Sequence, residues 1–249
     1  METSSAAGSF DERVGRIAAL GEPIRRALYR YVIAQRDPVD REQAAAAVGV
    51  APHAAKFHLD RLAAEGLLDA DYSRPPGRGG PGAGRPAKRY RQSGREVAVS
   101  LPERRYDLAG RVMARAIDAA TASGAPVADA LRDAATAEGR MLGERARHAP
   151  GATRGAAACR RAVCDVLTEY GYEPRAEDDR IVLANCPFHQ LAHEHSNLVC
   201  GMNFDLISGM LDACERTGLQ ARLEPEHGRC CVTLSRRTDA RREATARRR

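Results

Sequence analysis

The sequence predicts a mainly α fold with small β elements, an α+β chain. Three observations carry this reading. Apolar residues recur at helical spacing through most of the chain. Glycines and prolines punctuate those segments, and only a few short alternating runs have the form of strands. At 249 residues the chain is long for one domain and comfortable for two. Hydrophobic residues make up 43% and aromatics only 4%, with no Trp, so the cores must be built from Ala, Leu, Val and Ile.

Residues 1–9 are expected to be a disordered lead. Residues 10–20 and 22–35 read as helices, the second with Ile24, Leu28, Tyr31 and Val32 at helical spacing and Pro23 in its first turn. Residues 41–48 form a short helix broken by Gly49, and residues 51–65 the next, with Phe57, Leu59 and Leu62 as its apolar positions and Gly66 as its stop. Residues 67–72 and 88–92 read as strands joined by a long tip, 73–87, rich in Gly, Pro and Arg. Residues 103–123 and 127–147 are two helical segments, with Tyr106, Val112, Met113 and Ile117 on a stripe suited to a dimer seam. After a linker at 150–153, residues 154–170 are helical and 180–185 extended. Residues 187–195 and 198–217 are then helices, and 219–223 and 229–234 are strands flanking a turn at 225–228. The domain reading is a DNA-binding module at 10–95, a helical dimerisation region at 96–150, a Cys-rich sensor domain at 151–235 and a basic disordered tail at 236–249.

Function follows first from the N-terminal order: helix, Gly-containing turn, helix, basic hairpin. This is the order of a winged helix-turn-helix. A helix fits the major groove, where base edges are distinguishable, while a basic wing lies along phosphates or the minor groove. The reading helix is 51–65, with Pro52, His53, Lys56, His58 and Arg61 on its exposed side. The wing contributes Arg74, Arg78, Arg85, Lys88, Arg89 and Arg91, making DNA binding steeply salt-dependent. The net charge of +6 agrees with a polyanionic partner. The partners expected are a double-stranded DNA operator and a second copy of the chain, because symmetric regulators read symmetric operators.

The strings AAAAVGVAPHAAKFHLDRLAAEGLL and GRPAKRYR resemble the winged-helix regulators of the broad ArsR-like group, over roughly residues 16–92. FHLDRL resembles the end of the recognition helix in SufR-type regulators.

No window approaches the roughly 18 apolar residues of a membrane span, and no signal peptide opens the chain, so a cytoplasmic location is expected. Seven cysteines in that compartment point to metal ligation, thiol chemistry or packing rather than disulfides. Cys159 and Cys164 fall on an Ala-rich helix and read as core. Cys186, Cys200, Cys214, Cys230 and Cys231 fall in the last third of the chain, beside His189, His193, His195 and His227. Cys186 ends a strand and begins a helix, a position that favours thiolate. Zinc fingers use close Cys pairs with two residues between them. Here the gaps from 186 to 200, 200 to 214 and 214 to 230 are 14, 14 and 16, which suits ligands on separate elements around a larger object.

The whole layout resembles SufR-type iron–sulfur repressors, in which a winged helix is joined to a cysteine-bearing sensor domain and the protein binds DNA as a dimer. The resemblance runs from about residue 15 to 235. It implies that Cys186, Cys200 and one of Cys230 or Cys231 hold an iron–sulfur cluster, a 4Fe–4S cluster before a 2Fe–2S one. On a strand, Cys230 shares a face with Val232 and Leu234 and is slightly favoured over Cys231. Cys214, His189, His193 or an external group remain open as the fourth ligand. The alternatives are zinc, haem (through the Cys186–Pro187 dipeptide) or a small organic effector. No Gly-rich nucleotide loop or nucleophile–base pair is present, so no enzyme is expected.

Overall fold

The computed structural model describes residues 8–73, 87–152, 155–177 and 179–237. The chain divides into two compact units, Met1–Val99 and Ser100–Arg249. Nine α-helices among the described residues and two small antiparallel sheets make it an α+β chain. Among the described residues, no helix is long and apolar enough to cross a membrane. The expected lead (residues 1–7) and most of the tail and wing tip (238–249 and 74–86) lie outside the described residues.

In the first unit, α1 (Phe10–Ala19) opens with a capping box between Ser9 and Glu12. In α2 (Pro23–Ile33), the Glu22 carboxylate accepts the N–H groups of Ile24 and Arg25 at 3.1 and 2.6 Å. A short β1 (Val39–Asp40) leads into α3 (Arg41–Val48), capped by Asp40 and Gln43. Gly49, at φ +75°, ends α3 in the left-handed conformation that glycine adopts without a Cβ penalty. Then α4 (Pro52–Ala64) follows, with a proline in its first turn. β2 (Leu68–Ser73) and β3 (Ala87–Gln92) pair antiparallel, Leu68 opposite Gln92 and Ser73 opposite Ala87, and β1 joins the far side of β3. Leu28, Val32, Leu59, Leu62, Leu68 and Tyr90 form the core.

Phe57 departs from the sequence reading. α4 buries Ala55, Leu59 and Leu62, an i, i+4, i+7 stripe, and Phe57 lies off that stripe, 65% exposed.

In the second unit, α5 (Tyr106–Ser123) and α6 (Val127–His148) are followed by α7 (Ala156–Glu169), β4 (Pro174–Glu177) and β5 (Arg180–Leu183). After these come α8 (His189–Glu194), α9 (Ser196–Ala213), a 3-10 turn at Glu215–Thr217, β6 (Leu219–Leu223) and β7 (Val232–Arg236). The sheet order is β4-β5-β7-β6, antiparallel throughout. β4 has no counterpart in the sequence reading. It is a short edge strand with a leading proline and charged residues, so it lacks the apolar alternation that marks a strand.

The central helices do not form a separate region. The inner face of α5 (Leu108, Ala109, Val112, Ala116, Ala120) and that of α6 (Leu131, Ala135, Leu142, Ala146) belong to the core that also contains α7, α9 and the sheet. The stripe expected at a dimer seam is divided accordingly, with Val112 buried and Ile117 56% exposed. Small residues bring α6 and α9 together. A Cβ on Gly139 would collide with the Leu206 carbonyl, one on Gly143 with that of Met210, and one on Gly209 with that of Thr136. Only glycine permits backbones this close.

Candidate metal centre and nucleic-acid interface

Cysteines from three stretches of the second unit come together. Cys186 follows β5. Its carbonyl accepts the His189 N–H at 3.1 Å, and its neighbour Asn185 is held by the carbonyls of Gly171 and Glu103 at 2.5 and 3.0 Å. The Arg104 guanidinium bonds Asn185 Oδ1 at 2.6 Å and the Cys186 carbonyl at 3.3 Å. Cys200 lies in the first half of α9. Cys230 and Cys231 lie just before β7 rather than on it, so strand alternation does not divide their faces. The Cys230 N–H reaches Leu183 at 2.9 Å and the Cys231 carbonyl accepts from Glu224 at 2.7 Å, tying this stretch to the ends of β5 and β6.

The four thiols interact in series, Cys186 with Cys230, Cys230 with Cys231, and Cys231 with Cys200. Hydrogen bonding from Cys230 lowers the Cys186 thiol against the effect of burial, and the Phe188 N–H and Arg104 assist. The same neighbour, with Cys200, brings Cys231 down to about 6 although burial opposes it. Burial, then Cys231, pushes Cys200 up to about 12. Cys230 is raised by its bonds to Cys186 and Cys231 and by burial. Along the series, thiols shifted down (Cys186, Cys231) alternate with thiols shifted up (Cys230, Cys200). Asn203, one turn beyond Cys200 on α9, donates to Cys230 Sγ at 3.2 Å and accepts the Tyr172 hydroxyl at 2.5 Å.

The donor set is all sulfur, largely buried, and supported by an amide N–H and a guanidinium, a chemistry that fits an iron–sulfur cluster or zinc. Among the described residues, no three or more His, Cys, Asp or Glu side chains are grouped as ligands of a metal ion.

The other expected ligands lie elsewhere. His189 and His193 are exposed on α8, and His195 and His227 are exposed as well. Cys214 caps α9 and meets Cys159. Asn203, Tyr172 and Arg104 were not anticipated. Only Asn203 carried a signal, its i+3 spacing from Cys200.

In the first unit, Pro52, His53, Lys56, Phe57 and Arg61 form the exposed face of α4. Asp60 lies at the junction of this helix and the hairpin. Its Oδ1 accepts Lys88 Nζ at 2.6 Å and the Tyr90 hydroxyl at 2.7 Å, while Oδ2 accepts Lys56 Nζ at 2.9 Å. Arg61 pairs with Glu65 at 2.6 Å, and Arg91, 61% exposed, lies 4.0 Å from Asp69. Two residues depart from the expected outward display. The Arg89 side chain turns inward, 8% exposed, and its Nε donates to the Pro38 carbonyl at 2.8 Å. The His58 side chain, 13% exposed, points its Nδ1 towards Glu22 Oε2 at 3.5 Å without making a hydrogen bond. Arg74, Arg78 and Arg85 lie outside the described residues. Comparison with family models, with curated proteins and with solved structures finds no match.

Proposed function

We propose that this chain is a sequence-specific DNA-binding transcription regulator of the SufR-like kind, a winged helix-turn-helix joined to an iron–sulfur sensing unit. The sensing half is supported by the pairwise coupling of thiols from three separated stretches, Cys186 with Cys230, Cys230 with Cys231 and Cys231 with Cys200. The DNA-binding half is supported by the α3–Gly49–α4 order, the exposed α4 face and the antiparallel hairpin that follows.

Cys186 and Cys200 would supply two ligands and one of Cys230 or Cys231 the third, with the other of that pair the nearest candidate for a fourth. A bound cluster supplies sensitivity to oxygen, nitric oxide or iron supply. Asn203 orients the Cys230 sulfur, and Arg104 fixes the turn that presents Cys186. Regulation requires that one state of a dimer hold the cluster more tightly than the other, since equal binding shifts no equilibrium. In the DNA-binding unit, Phe57 offers an apolar contact of the kind that reads a thymine methyl, and Lys56, Arg61 and Arg91 offer phosphate contacts.

The test is anaerobic purification of the full chain, with iron and acid-labile sulfide assays. Selection of bound duplexes from a random pool, with and without the chromophore, then follows. Iron and sulfide in similar amounts, lost in Cys186→Ala and Cys200→Ala, are expected. Zinc at one per chain with no sulfide would replace the cluster with zinc on the same thiols. No enrichment of any sequence would sink the DNA-binding reading.

A further inference from the structure

Two of the three cysteines outside the candidate centre, Cys159 and Cys214, form a site of their own. Cys159 lies on α7 and Cys214 caps the C-terminal end of α9, yet their sulfurs stand 2.6 Å apart. Both are 2% exposed, and neither is in a disulfide. They also line a cavity of about 570 Å³ together with Arg147, His148, Asp212 and Arg216. A volume of this size admits a small organic molecule. The wall carries two arginines, Arg147 and Arg216, and two carboxylates, Glu215 and Asp212, the latter engaged by Arg237 at 3.0 Å, so an entering molecule meets groups of both signs. Cys200 is fourteen residues from Cys214 in sequence, which corresponds to about 20 Å along a helix, so the pair is separate from the four-thiol group.

From this geometry we infer that Cys159 and Cys214 are a reversible dithiol–disulfide site, oxidised by a polar low-molecular-weight disulfide that enters the adjoining cavity. At 2.6 Å the two sulfurs are already inside their van der Waals contact, so no backbone rearrangement separates them from a disulfide of roughly 2.05 Å. The Cys159 thiolate attacks one sulfur of the small disulfide, forming a mixed disulfide and releasing one small thiol. Cys214 then gives up its proton and attacks the Cys159 sulfur, closing the intramolecular bond and releasing the second small thiol. The two protein thiols lose two electrons and two protons, and one small disulfide is reduced to two thiols. Burial, then the bond with Cys159, pushes the Cys214 thiol up to about 12, which disfavours Cys214 as the first attacker. Closure ties α7 to the far end of α9, the helix whose first half carries Cys200 and Asn203.

The probe is glutathione disulfide, applied to the anaerobically purified full chain over a range of ratios to glutathione. The reaction is quenched with acid, and free thiols are alkylated in denaturant. Cleavage after Arg and before Asp isolates Cys159 in Gly155–Arg160 and Cys214 in Asp212–Arg216. A linked Gly155–Arg160/Asp212–Arg216 product is expected, reversed by reductant. It should be absent in Cys159→Ser and Cys214→Ser and retained in the Cys186→Ser/Cys200→Ser double variant. Recovery of both peptides fully alkylated at every ratio overturns the inference. So does linkage of Cys214 to Cys200, Cys230 or Cys231 in its place. The wild-type mapping decides the linkage even where a serine variant does not fold.

Discussion

Asn203 donates its side-chain amide to the sulfur of Cys230 at 3.2 Å, both residues being 1% exposed. A neutral amide held between a sulfur and the Tyr172 hydroxyl has no water to fall back on, so its loss strands two buried groups. Asn203→Ala is expected to lower the unfolding free energy of the metal-free chain by about 1–3 kcal/mol. Urea denaturation checks this, and a change within about 0.5 kcal/mol, typical of a surface site, would show that the bonds carry no net weight.

The approach of α6 to α9 depends on glycine at 139, 143 and 209. Gly139→Ala places a methyl against the Leu206 carbonyl, and we expect a loss of about 1–3 kcal/mol or more from overpacking. Gly110, exposed on α5 with nothing within 4 Å of an added Cβ, is the control. Gly110→Ala should leave stability unchanged or raise it by up to about 1 kcal/mol through helix propensity. Thermal denaturation of the two variants separates steric from intrinsic effects. Equal melting temperatures would refute the close-packing account.

Asp60 couples acid stability to the α4–hairpin junction. Burial pushes its carboxyl up, but hydrogen bonds from Lys88, Lys56 and Tyr90 outweigh that and bring it down to about 2. A depressed folded pKa means stabilisation is present above the unfolded value of about 3.9 and is lost as pH falls through the folded value. The contribution should therefore fade between about pH 4 and pH 2. Asp60→Asn should flatten the stability profile in that window and lower stability at neutral pH. An unchanged profile, followed by circular dichroism, would argue against the coupling.

Two arginines of β3, two residues apart, should behave oppositely. Arg89 is buried on the Pro38 carbonyl, so Arg89→Ala is expected to cost about 1–3 kcal/mol of stability. Arg91 is largely exposed, so Arg91→Ala should change stability by less than about 0.5 kcal/mol. On the proposed function it should also reduce the slope of log affinity against log salt by about 1. Melting curves and salt titrations on a selected duplex test both; the reverse pattern would overturn the assignment of outward and inward cations.

Much of the local structure was legible in the residues. Gly49, Gly66 and Gly218 marked helix ends, and all three take positive φ. Pro23 opens its helix as its place in the sequence indicated, whereas the caps at Ser9 and Asp40 became visible only in the structure. The glycine and proline signals act over three or four positions, so short-range backbone sterics and hydrogen bonding are enough to read them. Residue type and wide spacing picked out Cys186, Cys200, Cys214, Cys230 and Cys231 together, and the resemblance to SufR-type repressors narrowed them to Cys186, Cys200 and one of the 230–231 pair.

What remained was a matter of which faces meet. The sequence does not tell that Cys214 turns to Cys159, 55 positions away, while Cys230 turns to Cys186 and Asn203. Nor does it tell that Arg89 folds inward onto Pro38 while Phe57 stays in water. The sequence by itself determined the helices, their ends and the inventory of thiols, because those follow from neighbours along the chain. The tertiary structure decided which thiols share a pocket and which cations face solvent. Those depend on the glycine-tight approach of α6 to α9 and on the pairing of distant strands, and burial makes each such contact exclusive of the others.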